Sequence, residues 1–347
     1  MDVMNESAVT GAMTPVADRP VLVDCAGARM GGALRFLLEL DGHLARSGHP
    51  NIRVIGRDQA ITPAWLARRE RPGRFARAIA LNNVGFTLTS GTRYVLLRNA
   101  LHFLRPAELE RIGSWLGPRM SRQTRIVRQT ARRADIVIVP AASMAERVLD
   151  AVPELLSRLV IRPHPLSKPD HVSTRPCEPH LLLCPVLFSP WKSMATVLHL
   201  VDQAVSALAT ETGVDLQVIV TATREEAAAE GLDGHTRHLQ FVGRLAPQEL
   251  ARYQNRCRAL IYPTRIESFG YPLAEARLAS VPVVALDIAH NRDIAGPVLV
   301  PYQREEAAEI AAAIHRALNS TFAPEPVNPF DPDHYFSWLL GTPEKAA

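Results

Sequence analysis

Lysine is missing from the first half of this 347-residue chain, and acids are scarce there. Met1–Pro165 holds 24 arginines, no lysine and 14 acids, a balance of +10, whereas the remainder, with 15 basic and 21 acidic residues, stands at −6. A GC-rich genome accounts for arginine over lysine, but not for the shortage of acids. A basic half attracts phosphates, on an acidic acceptor or an anionic membrane. No recognised nucleic-acid-binding motif accompanies the charge, so nucleic acid is not an expected partner. Cysteine is sparse too. Cys25, Cys177, Cys184 and Cys257 show neither C-x-x-C spacing nor histidines at zinc-finger distances, and read as reduced, packed thiols. The 12 histidines form no H-E-x-x-H pattern, so no metal site is expected. No stretch approaches the ~18 uncharged apolar residues of a membrane span. Residues 1–19 lack the basic start and apolar centre of a secretory signal and are expected to be a disordered tail. The expected location is cytoplasmic, with at most a peripheral contact at the inner membrane face.

A hydrophobic content of 47% with 21% charged residues is that of a globular chain, and the length suits two domains. In residues 20–165, strands are predicted at Val21–Asp24, Ile52–Gly56, Arg93–Arg98, Ala134–Pro140 and Leu159–Arg162. Helices are predicted at Ala33–Ser47, Arg105–Arg133 and Ser143–Ala151, with a basic amphipathic stretch over Trp65–Leu81. The proline-rich run Pro163–Pro179 reads as a connection, placing a linker at 166–179. Residues 180–320 repeat the alternation. Strands are predicted at Leu181–Pro185, Leu216–Thr221, Leu239–Val242, Ala259–Pro263, Val281–Leu286 and Val298–Pro301. Helices are predicted at Ser193–Glu211, Glu225–Gly231, Pro247–Arg256, Leu273–Ala279 and Glu305–Leu318. Such alternation means α/β, with two Rossmann-like doubly wound domains facing a cleft. In the final segment, 321–347, Asp331–Leu340 is read as a closing helix that packs back on the first domain. Asp331-Pro-Asp333 imitates a D-x-D metal motif but follows no strand, and is read as a turn.

The most informative segment is Glu267-Ser-Phe-Gly-Tyr-Pro-Leu-Ala-Glu275, directly after the apolar run Ala259–Pro263. It reads as strand, turn and helix, the kind of junction at which open α/β sheets bind ligands. Free N–H groups at a helix start favour an anion, Gly270 lets backbone approach it, and both carboxylates can accept from hydroxyls. Phosphate together with polyol hydroxyls describes a nucleotide sugar. The segment resembles the Glu-x7-Glu signature of retaining glycosyltransferases with the GT-B fold, in particular glycosyltransferase family four (group 1 type). The match continues through Ala276 and the strand in Ala279-Ser-Val-Pro-Val-Val-Ala.

That resemblance implies a set of roles. Glu267 would hold donor-sugar hydroxyls and Glu275 the ribose. Backbone groups from Ser268, Phe269, Gly270, Tyr271, Pro272 and Leu273 would surround phosphate or sugar oxygens. Lys192, in Phe188-Ser-Pro-Trp-Lys192, matches the family's phosphate-facing lysine, but Leu187 stands where an arginine is usual, leaving Arg244 or Arg265 to substitute. Val242-Gly243-Arg244 matches the contact with the base. Gly31 and Gly32 match the first-domain glycine loop, and Gly27-x-x-x-Gly31-Gly32 is not the G-x-G-x-x-G of a dinucleotide fold. His102, following Asn99, matches a histidine near the outer sugar hydroxyl, with Asn99 placed toward the acceptor.

The run Trp65–Ile79 carries Arg68, Arg69, Arg71, Arg74 and Arg77 among apolar residues, and is read as a contact for anionic headgroups or an acidic acceptor. The expected activity is retaining transfer from a nucleotide-diphosphate sugar to a glycan, lipid-linked or small-molecule acceptor, with no cofactor beyond the donor and no metal. The alternatives are a nucleotide-sugar epimerase of the same architecture and a non-catalytic partner that kept the fold.

Overall fold

Val21–Asp24 (β1) is buried along its whole length, as a strand covered by helices on both faces must be. It opens a computed structural model that describes residues 19–71, 73–168, 177–189, 192, 194–232 and 236–342. Most of the expected tail, positions 169–176 of the expected linker and residues 343–347 lie outside the described residues. After β1 come helix α1 (Gly31–Ser47), β2 (Ile52–Ile55), α2 (Pro63–Arg69), β3 (Arg77–Ala80), β4 (Thr92–Leu96), α3 (Pro106–Ile112) and α4 (Pro118–Ala131). The first domain continues with β5 (Ile136–Val139), α5 (Ala142–Ala151) and β6 (Leu159–Ile161). All six strands are parallel, in the order β2-β1-β3-β4-β5-β6. Side chains alternate between faces with the strand period. Val137 and Val139 join one core layer, Ile136 and Ile138 the other.

The second domain holds β7 (Glu178–Cys184), α6 (Met194–Thr212), β8 (Gln217–Val220), α7 (Arg224–Ala229), β9 (Leu239–Phe241), α8 (Pro247–Gln254) and β10 (Cys257–Tyr262). It ends with α9 (Tyr271–Leu278), β11 (Val283–Leu286), α10 (Ala289–Ala295), β12 (Leu299–Tyr302) and α11 (Ala307–Leu318). Its parallel order is β12-β11-β10-β7-β8-β9, so the winding reverses where β7 lies beside β10. Loops diverge from such a point and leave a crevice beyond the strand ends.

Several expectations are corrected. The stretch Trp65–Leu81 is not one basic amphipathic element. It contains the short α2 and then β3, a central strand paired with both β1 and β4. An Arg-Ala-Ile-Ala-Leu run, rich in alanine and preceded by arginines, hides a strand because nothing in it is β-branched except one isoleucine. The helical stretch Arg105–Arg133 is broken into α3 and α4 around Gly113 and the Gly117-Pro118 step. Helix α10 was not foreseen. Where the chain leaves the first domain it is packed inside: His164 and Leu166 are buried, and Leu166 N–H donates to the Phe330 carbonyl at 2.8 Å. Of the four free cysteines, Cys177 is exposed rather than packed.

Asp331-Pro-Asp333 is a helix start, not a turn. Asp331 accepts from Asp333 N–H at 2.8 Å and Pro332 opens α12 (Pro332–Leu340). This helix lies on α1 and places Tyr335, Phe336, Leu339 and Leu340 in one core layer with Phe36, Leu37 and Leu40. Asp333 meets His43 Nδ1 at 2.7 Å and Arg46 at 2.9 Å, while Arg77 donates to the last-turn carbonyls of Trp338 and Leu339 at 2.6 and 2.8 Å.

Candidate active site

Lys192 follows β7 and Glu267 follows β10, the two strands that flank the reversal of winding. The topology therefore brings together residues far apart in sequence. Lys192 Nζ lies 3.7 Å from Glu267 Oε2, both side chains partly buried. Glu267 also accepts from Ser268 N–H at 3.0 Å and from the Tyr262 hydroxyl at 3.5 Å. The carboxylate is thereby aimed without being fully saturated, since it can accept about four hydrogen bonds.

Gly270 makes the following turn possible. Its φ of +79° is left-handed, and an added Cβ would sit 2.9 Å from the Tyr262 hydroxyl and 3.3 Å from Leu273. The N–H groups of Phe269, Gly270 and Tyr271 have no hydrogen-bond acceptor among the described residues. The expected row of donors stops there. Pro272 has no N–H, and Leu273 N–H is taken by the Gly270 carbonyl at 3.0 Å. Phe269 and Leu273 are core residues that anchor the turn. Ser268 reaches across the domains, its hydroxyl donating to the Arg98 carbonyl at 2.8 Å.

Glu275 is held rather than free. Gln254 Nε2 donates to it at 3.0 Å, Arg35 of the first domain stands 3.8 Å away, and burial raises its pKa against both. Neither Gln254 nor Arg35 carries a sequence signal, because each reaches Glu275 only through the folded arrangement of the chain; Arg35 also pairs with Glu39 one turn along its own helix, at 3.3 Å. Gly31 and Gly32 open α1 directly opposite α9, and an added Cβ on Gly32 would meet the Tyr271 ring at 3.1 Å. Gly243, two residues beyond β9, donates its N–H to the Ala222 carbonyl at 2.9 Å.

Other expected residues are engaged elsewhere. Arg244 is bound to Glu226 at 2.8 Å and Arg265 to Glu305, so neither stands as an uncommitted replacement for the arginine missing at Leu187. Asn99 caps its own 3-10 turn by accepting from Leu101 N–H at 3.1 Å. His102 is buried, with Nδ1 3.0 Å from the Thr124 hydroxyl of α4, and makes no contact with the Glu267 group. Burial and the nearby Arg128 push its pKa down to about 4, so it stays neutral. Arg68 is exposed over the Trp65 ring and Arg74 is exposed, but Arg69 is not available to any surface. It is 1% exposed, paired with Asp24 at 2.6 Å, and donates to the Val84 and Gly85 carbonyls at 2.7 Å each. A residue not anticipated, His290 of α10, bonds the Ser143 hydroxyl of α5 at 3.0 Å. Burial lowers its pKa although Glu267 is nearby to oppose the shift.

Two cavities lie near these groups. One of ≈ 480 Å³ sits beside the glycine loop, lined by Ala28, Leu34, Leu38, Asp41 and Arg57 among others; one of ≈ 260 Å³ lies between α3 and the ends of β10 and β11. No group of three or more His, Cys, Asp or Glu with metal-binding geometry occurs among the described residues.

Residues 180–320 match the family model described as "Glycosyl transferases group 1". The second domain carries the pattern of that family. The whole chain has the two-domain GT-B arrangement, as its likeness to solved structures shows. WaaG, a glycosyltransferase involved in lipopolysaccharide biosynthesis, superposes with a TM-score of 0.59 at 13% identity, over 86% of this chain and 91% of that one. Sucrose-phosphate synthase from Thermosynechococcus elongatus gives 0.57 at 14%, over 87% and 90%. A TarM mutant of S. aureus, solved with UDP and α-GlcNAc-glycerol, gives 0.51 at 12%, over 74% of this chain but only 51% of its own length. No curated protein matches the sequence significantly.

Proposed function

We propose that this chain transfers a sugar from a nucleotide-diphosphate sugar to an acceptor with retention at the anomeric carbon. The observation that carries the reading is the meeting of Lys192 and Glu267 beside three unpaired N–H groups at the winding reversal of a group 1 domain. A cation and oriented N–H donors stabilise a leaving diphosphate, while the carboxylate accepts from sugar hydroxyls. Among the described residues, no second carboxylate is seen paired with or bonded to Glu267 that could act as nucleophile. In this reading the leaving phosphate takes the acceptor's proton on the same face, and catalysis is positioning plus charge stabilisation. The nucleotide bound by the TarM mutant makes UDP sugars the first donors to try.

A thermal-shift panel of UDP, GDP and ADP sugars tests the donor assignment. One member should stabilise the protein by about 2.7 kcal/mol at 100 times its dissociation constant. A flat response across the panel would favour the non-catalytic partner, and sugar rearrangement without any acceptor would favour the epimerase.

The acceptor, or the surface carrying it, is proposed to be anionic. Arg68, Arg71 and Arg74 are exposed, and α4, which contains no acid, adds exposed Arg119, Arg122 and Arg125 close in sequence to Trp115, 61% exposed. No helix among the described residues is long and apolar enough to cross a membrane, so the contact would be at the surface. Association with anionic vesicles should weaken steeply between 0.1 and 1 M salt, as the Debye length falls from about 10 to 3 Å. Equal sedimentation with neutral vesicles, or none with either, would refute the anionic surface.

A further inference from the structure

Arg98, two residues beyond the end of β4, is a cation without a counter-charge among the described residues. Its backbone is clamped from two sides: its N–H donates to Asn83 Oδ1 at 2.7 Å, and its carbonyl accepts from Ser268 in the Glu267 loop. Its guanidinium makes no hydrogen bond or ion pair among the described residues, and Nη1 is buried without a partner. It lies 5.9 Å from the centre of the Phe36 ring, on the first helix after the glycine loop. The same Phe36 ring contacts His164 at 5.3 Å and Tyr335 at 5.6 Å, and His164 stacks on Tyr271 at 5.9 Å.

Three of these neighbours are also incomplete. Tyr271 Oη, Tyr335 Oη and His164 Nδ1 are buried without partners among the described residues. Buried polar groups are nearly always satisfied, so four unsatisfied ones, three against the Phe36 ring and the fourth, on Tyr271, stacked on His164, indicate a missing ligand. That ligand is an acceptor of hydrogen bonds, because a guanidinium only donates and phenols donate readily. It is also an anion. The acids on adjoining elements are spoken for, Glu39 by Arg35 and Ser167, Glu275 by Gln254 and Arg35, and neither pairs with Arg98. Burial alone draws the Arg98 pKa down to about 10, and an anion would reverse that.

We infer that Arg98, with the Tyr271 and Tyr335 hydroxyls, forms a phosphate-binding site at the domain seam that takes the donor's diphosphate. Arg98 thus supplies from the first domain the cationic contact that Leu187 cannot give from the second. The identity of the phosphate rests on the proposed donor chemistry. The site itself draws on β4, α9, the interdomain connection and α12, so occupancy would tie both domains to one group. A planar guanidinium suits a phosphate through two parallel hydrogen bonds.

Calorimetric titration of the full chain with inorganic pyrophosphate, a nucleoside diphosphate and the bare nucleoside is the test. Arg98→Gln should weaken both phosphate ligands at least tenfold and leave the nucleoside unchanged, with Arg98→Lys keeping part of the affinity. The Tyr271→Phe, Tyr335→Phe pair, which leaves the rings in place, should weaken pyrophosphate severalfold, and it decides the matter if Arg98→Gln does not fold. Wild-type pyrophosphate affinity in the arginine variants or in the tyrosine pair would overturn the site. Pyrophosphate must also compete with the nucleotide sugar; simultaneous binding would overturn the donor assignment. The two readings fail separately. Arg98-dependent pyrophosphate binding in a protein that transfers no sugar would leave this site standing and sink the proposed activity, whereas transfer with Arg98-independent affinity would do the reverse.

Discussion

Arg69→Met is expected to destabilise the first domain by about 3–5 kcal/mol, the usual cost of leaving one member of a buried ion pair without the other. Asp24, 0% exposed, would keep only Asn82 at 2.8 Å, Trp65 at 3.2 Å and Ala26 N–H at 3.1 Å, and the Val84 and Gly85 carbonyls would lose their donor. At roughly 2–4 °C per kcal/mol for a domain of this size, the calorimetric transition should fall by roughly 10 °C. Arg69→Lys should fail almost as badly, because a single ammonium cannot reach Asp24 and two carbonyls together. The neighbouring Arg68→Met should change stability by no more than about 0.5 kcal/mol, as exposed surface substitutions do. A transition temperature unchanged in Arg69→Met would show that the pair contributes nothing.

Turnover should fall about 30- to 1,000-fold in Lys192→Ala, corresponding to about 2–4 kcal/mol of transition-state stabilisation by a charge facing the leaving phosphate. Glu267→Gln should cut turnover on a similar scale while the nucleoside diphosphate, which lacks the sugar, still binds. Because the two side chains are 3.7 Å apart, their effects should not add. The double variant should lose less than the product of the single losses. Equal weakening of donor and diphosphate by Glu267→Gln, with a lowered melting temperature, would mark Glu267 as a structural residue. Unchanged kinetics in Lys192→Ala would remove the lysine from the mechanism.

The second domain was the more legible in sequence because its strands are runs such as Leu216–Thr221 and Val281–Leu286, with branched residues bounded by clear helices. Its Glu-x7-Glu segment lies within nine residues of chain, where spacing alone carries the geometry. What escaped was non-local. That β10 lies beside β7, bringing Lys192 to Glu267, depends on strand order, which no local pattern encodes. The same limit explains Arg69. Its apolar neighbours suggest an amphipathic surface, and only the arrival of β1 with Asp24 turns it into an internal cation. The family resemblance assigns His102 to the sugar, but its partner Thr124 comes from a helix predicted as part of a longer one. Arg98 offered no signal at all, because what marks it is the lack of a partner within a folded neighbourhood.

Helix α12 has a consequence for how the chain is made. The first sheet is complete at β6, yet one of its core layers is finished by Tyr335, Phe336, Leu339 and Leu340, which are synthesised only after the entire second domain. At the usual rate of about 5–20 residues per second, the nascent first domain would wait roughly 10–30 s with that apolar face uncovered. Emerging from the ribosome, it is a surface for chaperones before it is a core, and its last contacts close only when the second domain has already had time to fold.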